Sequence, residues 1–131
     1  MTQNNIYAAF GRFLIAIMFI ISGIGKIAAP EATQGYIASV GLPLPMLSYL
    51  LALVAELGGG ILLLVGYRAR VISLAMAIFA VVTALVFHHN FADQNQMIHF
   101  LKNFAIAGGL LQVAAFGAGA FSLDERLRHA L

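Results

Sequence analysis

The sequence predicts an all-α integral membrane protein, a four-helix bundle with both termini on the cytoplasmic side of the bilayer (N-in/C-in). Three observations predict it. The chain has 131 residues, 62% hydrophobic and only 9% charged, with a mean hydropathy of +0.95; soluble domains carry roughly 25% charged residues. A soluble chain this short cannot hide so much apolar surface, because its surface-to-volume ratio is too high. Four apolar stretches also approach the roughly 20 residues that a helix needs to cross the hydrocarbon layer. Finally, the basic residues are shared unevenly between connections on opposite sides.

The first stretch covers residues 6–29. Arg12, the run Phe13 to Ile21 and the small residues Ala28 and Ala29 imitate a secretory signal. Lys26 stands where such a signal needs neutral residues, and three more apolar segments follow, so the stretch reads as an uncleaved span. Residues 30–45 form the longest connection. Pro30-Glu31 suits a helix start, since proline fits the first helical position and a carboxylate suits the amino end. Tyr36, Ile37 and Val40 then line one face of a short interfacial helix, which Gly41-Leu42-Pro43-Leu44-Pro45 breaks.

The second span covers residues 46–66, and Gly66-Tyr67-Arg68-Ala69-Arg70 reads as a tight turn. The third, residues 71–87, is the shortest and must reach into the headgroups. A polar loop from His88 to Gln96 leads to the fourth span, residues 98–120, and a charged tail runs from Phe121 to Leu131. Arg68, Arg70, Arg126 and Arg128 lie on one side, against Lys26 and Lys102 inside helix ends on the other. Basic residues stay in the cytoplasm, which places both termini there. Residues 1–131 read as one transmembrane domain, in a bacterial inner membrane.

Several function classes fall away. A net charge of +2 without any basic run argues against a nucleic-acid partner. Cysteine is absent, so disulfides, thiolate metal sites and thiol relays are excluded for this chain. His88, His89, Asp93 and His99 have a loop-crossing spacing unlike that of same-helix metal motifs, so no metal is expected. Their place at the rim argues against haem.

Glu56 is the most informative residue. It stands near the middle of the second span, where an acidic group costs about 3 kcal/mol to insert. In a straight helix Ala52 and Gly60 lie one turn either side of it, a small-residue face that packs closely on neighbours. Glu56 therefore points into the bundle. It serves either as a structural group, paired or protonated, or as a proton relay or ligand contact. Arg12 and Lys26 in the first span are the candidate partners, within about 40° of one face. Arg12 is expected to hold Glu56 bidentately, while Lys26 snorkels outward.

Lys26, His88, His89, His99, Lys102 and Asn103 fall in one layer near the outer headgroup boundary. Interfacial anchoring accounts for each singly. As a set, they suit an anionic or quinone-like headgroup, with Lys26, His88, Lys102 and Asn103 as ligand contacts. Ala105 and Gly109 offer a small-residue contact for homo-oligomers.

In order and spacing, these pieces resemble the DoxX family of small bacterial membrane proteins. They are Gly11-Arg12, Ser22-Gly23 with Lys26, Gly41-Leu42-Pro43, Glu56-Leu57-Gly58-Gly59-Gly60 with Gly66, Phe87-His88, Lys102-Asn103 with Gly108-Gly109, and Ser122-Leu123-Asp124. The resemblance implies a four-helix membrane bundle and a link to quinone reduction or sulfur oxidation, with redox protein partners. Without cysteine this chain runs no persulfide cycle itself. The expected function is an accessory or quinone-handling subunit of a membrane oxidoreductase, with Glu56 tuned by Arg12; the alternative is a non-enzymatic scaffold or small-solute carrier.

Overall fold

The structure, a computed structural model, describes residues 2–130. In chain order the elements are α1 (Thr2–Ala28), α2 (Pro30–Ser39), α3 (Pro45–Leu53), a π-helical segment (Val54–Gly58), α4 (Gly59–Val65), α5 (Ala69–Phe87), α6 (Gln94–Phe116) and α7 (Leu123–Ala130). Four spans are long and apolar enough to cross a membrane: Gln3–Ala28, Pro45–Val65, Ala69–Phe87 and Gln94–Phe116. Large apolar side chains such as Ile21, Val54, Ile78 and Leu101 point outward from them, so acyl chains are their solvent.

Both expected bounds of the fourth span move. The fourth span starts at Gln94 rather than 98, because the Asp93 side chain accepts from the Asn95 N–H at 2.9 Å and caps the helix. It stops at Phe116 because Gly117 takes φ +85. The charged tail is helical from Leu123 to Ala130, and Leu131 lies outside the described residues. The interfacial helix is present as α2, with Ile37 buried beneath it.

Small residues set the packing. Ala16, Ala77, Ala80 and Ala107 join Phe19, Leu63, Met76 and Leu110 in the core, and their short side chains let the helices approach closely. α5 and α6 form an antiparallel pair, and α4 packs on α1 and α5. At Gly60 a Cβ would come within 2.9 Å of Ile20 and 3.3 Å of the Ala16 carbonyl, so only glycine permits this approach of α4 to α1. α3 behaves differently. It leans on α2 and α1 and makes no substantial contact with α5 or α6.

The π segment separates these two halves of the second span. Its extra residue per turn rotates α4 by roughly 100° from the path that α3 would continue. Ala52 and Gly60 consequently part company: Gly60 faces α1, while Ala52 lines an open space between α3 and α5.

The end carrying the Arg68 turn is closed by Arg12 and Asp124. Arg12 Nη1 donates to the carbonyls of Leu63 and Leu64 at 2.8 and 2.6 Å, and Nη2 to that of Phe121 at 2.6 Å. The first two are carbonyls of the last turn of α4, where a cation is also favoured by the helix dipole. Asp124 accepts from the N–H groups of Arg68 and Ala69 at 2.6 and 2.8 Å, which caps α5 from a distant part of the chain. Gly66, at φ +74, fits between Ser122 and Arg12.

A buried ion pair beneath a membrane cavity

Glu56 is 4% exposed and lies inside the π segment. Lys26 Nζ donates to its Oε1 at 2.9 Å and to Ser22 Oγ at 3.1 Å. Ser22 Oγ in turn donates to the same carboxylate oxygen. Ser22 and Lys26 are one turn apart on α1, so both reach the same point across the helix interface. Glu56 Oε2 is buried and has no hydrogen-bond partner among the described residues.

The expected Arg12–Glu56 pair is not formed. All three hydrogen bonds of Arg12 go to backbone carbonyls, two at the far end of α4 and one at Phe121, and its role there is to hold that end together. Register explains the exchange. Gly23 meets Leu57, Gly60 meets Ile20 and Ala16, and Gly66 meets Arg12, so the antiparallel helices place Glu56 level with Ser22. Arg12 is ten residues further along, about 15 Å at 1.5 Å per residue. Lys26, expected to snorkel outward, turns inward instead. Its own carbonyl accepts from Tyr49 Oη at 2.9 Å, which ties α3 to the end of α1.

Above the pair is a cavity of about 620 Å³ between α3 and the α5–α6 hairpin, lined by all four spans and α2. Met18, Phe19, Leu51, Phe79 and Ile106 make its walls mostly apolar, and Glu56, Lys26 and Ser22 supply its polar floor. His88, His99 and Lys102 stand along its rim, the two imidazoles with ring centroids 5.0 Å apart. Burial, followed by the charges of His99 and Lys102, holds His88 below the usual histidine range. Asn103 also lines the cavity, but its Nδ2 donates to the Ala80 carbonyl at 3.2 Å and to Thr83 Oγ1 at 3.1 Å. Only its carbonyl oxygen is left for a ligand. α2 covers one edge, where Tyr36 stacks on Phe87 with centroids 5.5 Å apart.

Four of the expected site residues, Lys26, His88, Lys102 and Asn103, therefore line one cavity with Glu56, while Arg12 does not. Tyr49 was not singled out by its sequence context, and Ser22, quoted with Lys26 in the family resemblance and on the same stripe of α1, was not expected to bond Glu56. Gly109 approaches Ile15 of α1, while Ala105 is exposed.

Fold and site together define a four-span α-helical membrane protein with a lipid-level cavity over a buried ion pair. The DoxX family model matches residues 7–89, and the chain belongs to the DoxX family. It is similar to inner membrane protein YqjF of Escherichia coli K12, 41% identical over 116 residues and covering 88% of each chain. It is also similar to inner membrane protein YphA of the same organism, 37% identical over 120 residues, covering 88% of this chain and 86% of the relative. No solved structure matches it. The protein is thus a multi-pass inner-membrane protein.

Proposed function

We propose that the chain binds a lipid-soluble quinone in the cavity and serves as an accessory subunit of an inner-membrane oxidoreductase. One observation carries this reading: a buried carboxylate with one oxygen fixed by Lys26 and Ser22 and the other unpartnered, at the floor of an apolar cavity. Its volume, about 620 Å³, lies within the roughly 300–1,000 Å³ typical of small-molecule sites. A quinone, when bound, takes up two electrons and two protons, and the electrons come from a redox protein partner.

The chain's own residues bind and handle protons. Lys26 spends two of its three N–H donors on Glu56 and Ser22 and has one left for a carbonyl oxygen. Lys102 and His88 present donors at the rim, beside the Asn103 carbonyl. Glu56 Oε2 is the atom able to take or return a proton, and its fixed partner oxygen keeps it aimed. Both termini face the cytoplasm in this reading, with Arg68, Arg70, Arg126 and Arg128 on that side, so the cavity lies in the outer half of the bilayer.

The test is purification in mild detergent, extraction and identification of bound quinone, and a melting curve with added decylubiquinone. Bound quinone and a melting shift that Lys26→Met abolishes are expected. A preparation with neither sinks the proposal. The second reading, a scaffold or small-solute carrier, uses Glu56 only to join helices. Glu56→Gln then leaves partner assembly and activity intact, whereas a proton-handling group loses activity in a folded protein.

A further inference from the structure

We propose that the opposite end of the bundle carries a site for the phosphate of an anionic glycerophospholipid, bounded by α5, α6 and α7. A cavity of about 630 Å³ lies there, lined by Arg68, Arg70 and Arg128 together with Asn5, Val71 and Phe116. The proposal is independent of the quinone reading, because none of these residues reaches the other cavity.

The charges are arranged for an anion. Two carboxylates share the site, and both are engaged within the chain. Asp124 accepts from the Arg68 and Ala69 amides. Glu125 Oε1 accepts from Arg128 Nη2 at 2.6 Å and lies 2.9 Å from His129 Nε2. Each guanidinium keeps donors that no protein acceptor takes among the described residues. Arg70 spends only Nη1, on the Ala115 carbonyl at 2.6 Å, which anchors its group against Gly117. Arg68 spends only Nε, on Tyr67 Oη, and Arg128 only Nη2. Forked, unspent N–H groups of three arginines lining one cavity match the oxygens of a phosphate.

The backbone adds a second observation. Arg68 adopts φ +48, a left-handed conformation that costs a side-chain-bearing residue about 1–2 kcal/mol and glycine nothing. Asp124 holds this conformation through the Arg68 and Ala69 amides, and the exposed Arg68 side chain rests on Tyr67 with its terminal N–H groups unspent.

Position selects a lipid over a free ion. The site lies where α5 begins and α6 ends, at headgroup level. Phe116, 77% exposed, and Val71, 65% exposed, offer apolar surface on its membrane side for acyl chains. Basic pockets between spans on the cytoplasmic face bind anionic headgroups in this way.

The experiment uses the full chain in neutral detergent, titrated with phosphatidylglycerol, phosphatidylcholine or inorganic phosphate, and reads melting temperature and retained lipid by native mass spectrometry. Phosphatidylglycerol alone should bind and raise the melting temperature. Arg68→Gly with Arg128→Gln should weaken its apparent affinity about 25-fold, taking about fivefold per basic residue. Arg68→Gly alone should leave the lipid-free melting temperature unchanged or higher, since it relieves the φ strain, so a folding defect cannot imitate the loss. Equal binding of phosphatidylcholine, an equal effect of inorganic phosphate, or undiminished phosphatidylglycerol binding by the double variant would each overturn the proposal.

Discussion

Replacing Lys26 with methionine tests the ion pair on which the cavity floor depends. The substitution keeps most of the side chain's length and apolar stem and removes the one cation bonded to Glu56 among the described residues. Glu56 is 5% exposed at its side chain, so water cannot replace Lys26. Stranding a buried charge in this way costs about 3–5 kcal/mol. A destabilisation of about 3 kcal/mol is therefore expected at pH 7.

Adding Glu56→Gln to Lys26→Met removes the charge altogether while Ser22 retains a hydrogen-bond acceptor. The double variant should recover most of the loss, giving a coupling of about 2–3 kcal/mol in a double-mutant cycle. The assay is reversible unfolding in mixed micelles of neutral detergent and dodecyl sulfate at pH 7.0. Additive effects of the two substitutions, or a single-variant cost under about 1 kcal/mol, would refute the reasoning.

Two further predictions concern the two ends of the bundle. Gly66→Ala imposes a left-handed φ on a residue with a side chain, and its Cβ would lie 2.5 Å from Ser122 Cβ and 2.9 Å from Arg12 Nη1. A loss above about 2 kcal/mol, or of folded yield by size exclusion, is expected. Gly108→Ala, with no atom within 4 Å of the new methyl group, should be neutral or stabilising; equal behaviour of the two variants contradicts the close fit at Gly66. At the cavity rim, lowered proton affinity makes the folded chain bind fewer protons at His88 than the unfolded one. That share of stability is complete above about pH 6.5 and is lost as pH falls toward the lowered folded value. Lys102→Met should raise the His88 midpoint in an NMR titration, and an unchanged or lower midpoint would show that Lys102 has no such influence.

Much of the architecture is legible residue by residue. A glutamate in the middle of an apolar stretch has to face helices rather than acyl chains, and Glu56 does. The cationic layer of Lys26, His88 and Lys102 was visible from rise per residue alone, and those side chains line one cavity. The partner of Glu56 was not legible. Arg12 and Lys26 lie within about 40° of one face of α1, so rotation could not choose between them. Height could, but height depends on the register of two antiparallel helices. The cavity was also hidden, because it exists where α3 fails to touch α5 and α6, and the absence of a contact leaves no mark on hydropathy.

The sequence by itself determined the solvent, the number of spans and the inward direction of Glu56. These follow from transfer free energies and the helical repeat, which belong to local composition. Only the tertiary structure decided that Lys26 and Ser22 hold the carboxylate while Arg12 and Asp124 fasten the far end. Close approaches at Gly23, Gly60 and Gly66 fix the register of the first two spans, and the π segment turns the half above Gly60 away from α5. Those are relations between segments distant along the chain, settled when the helices pack.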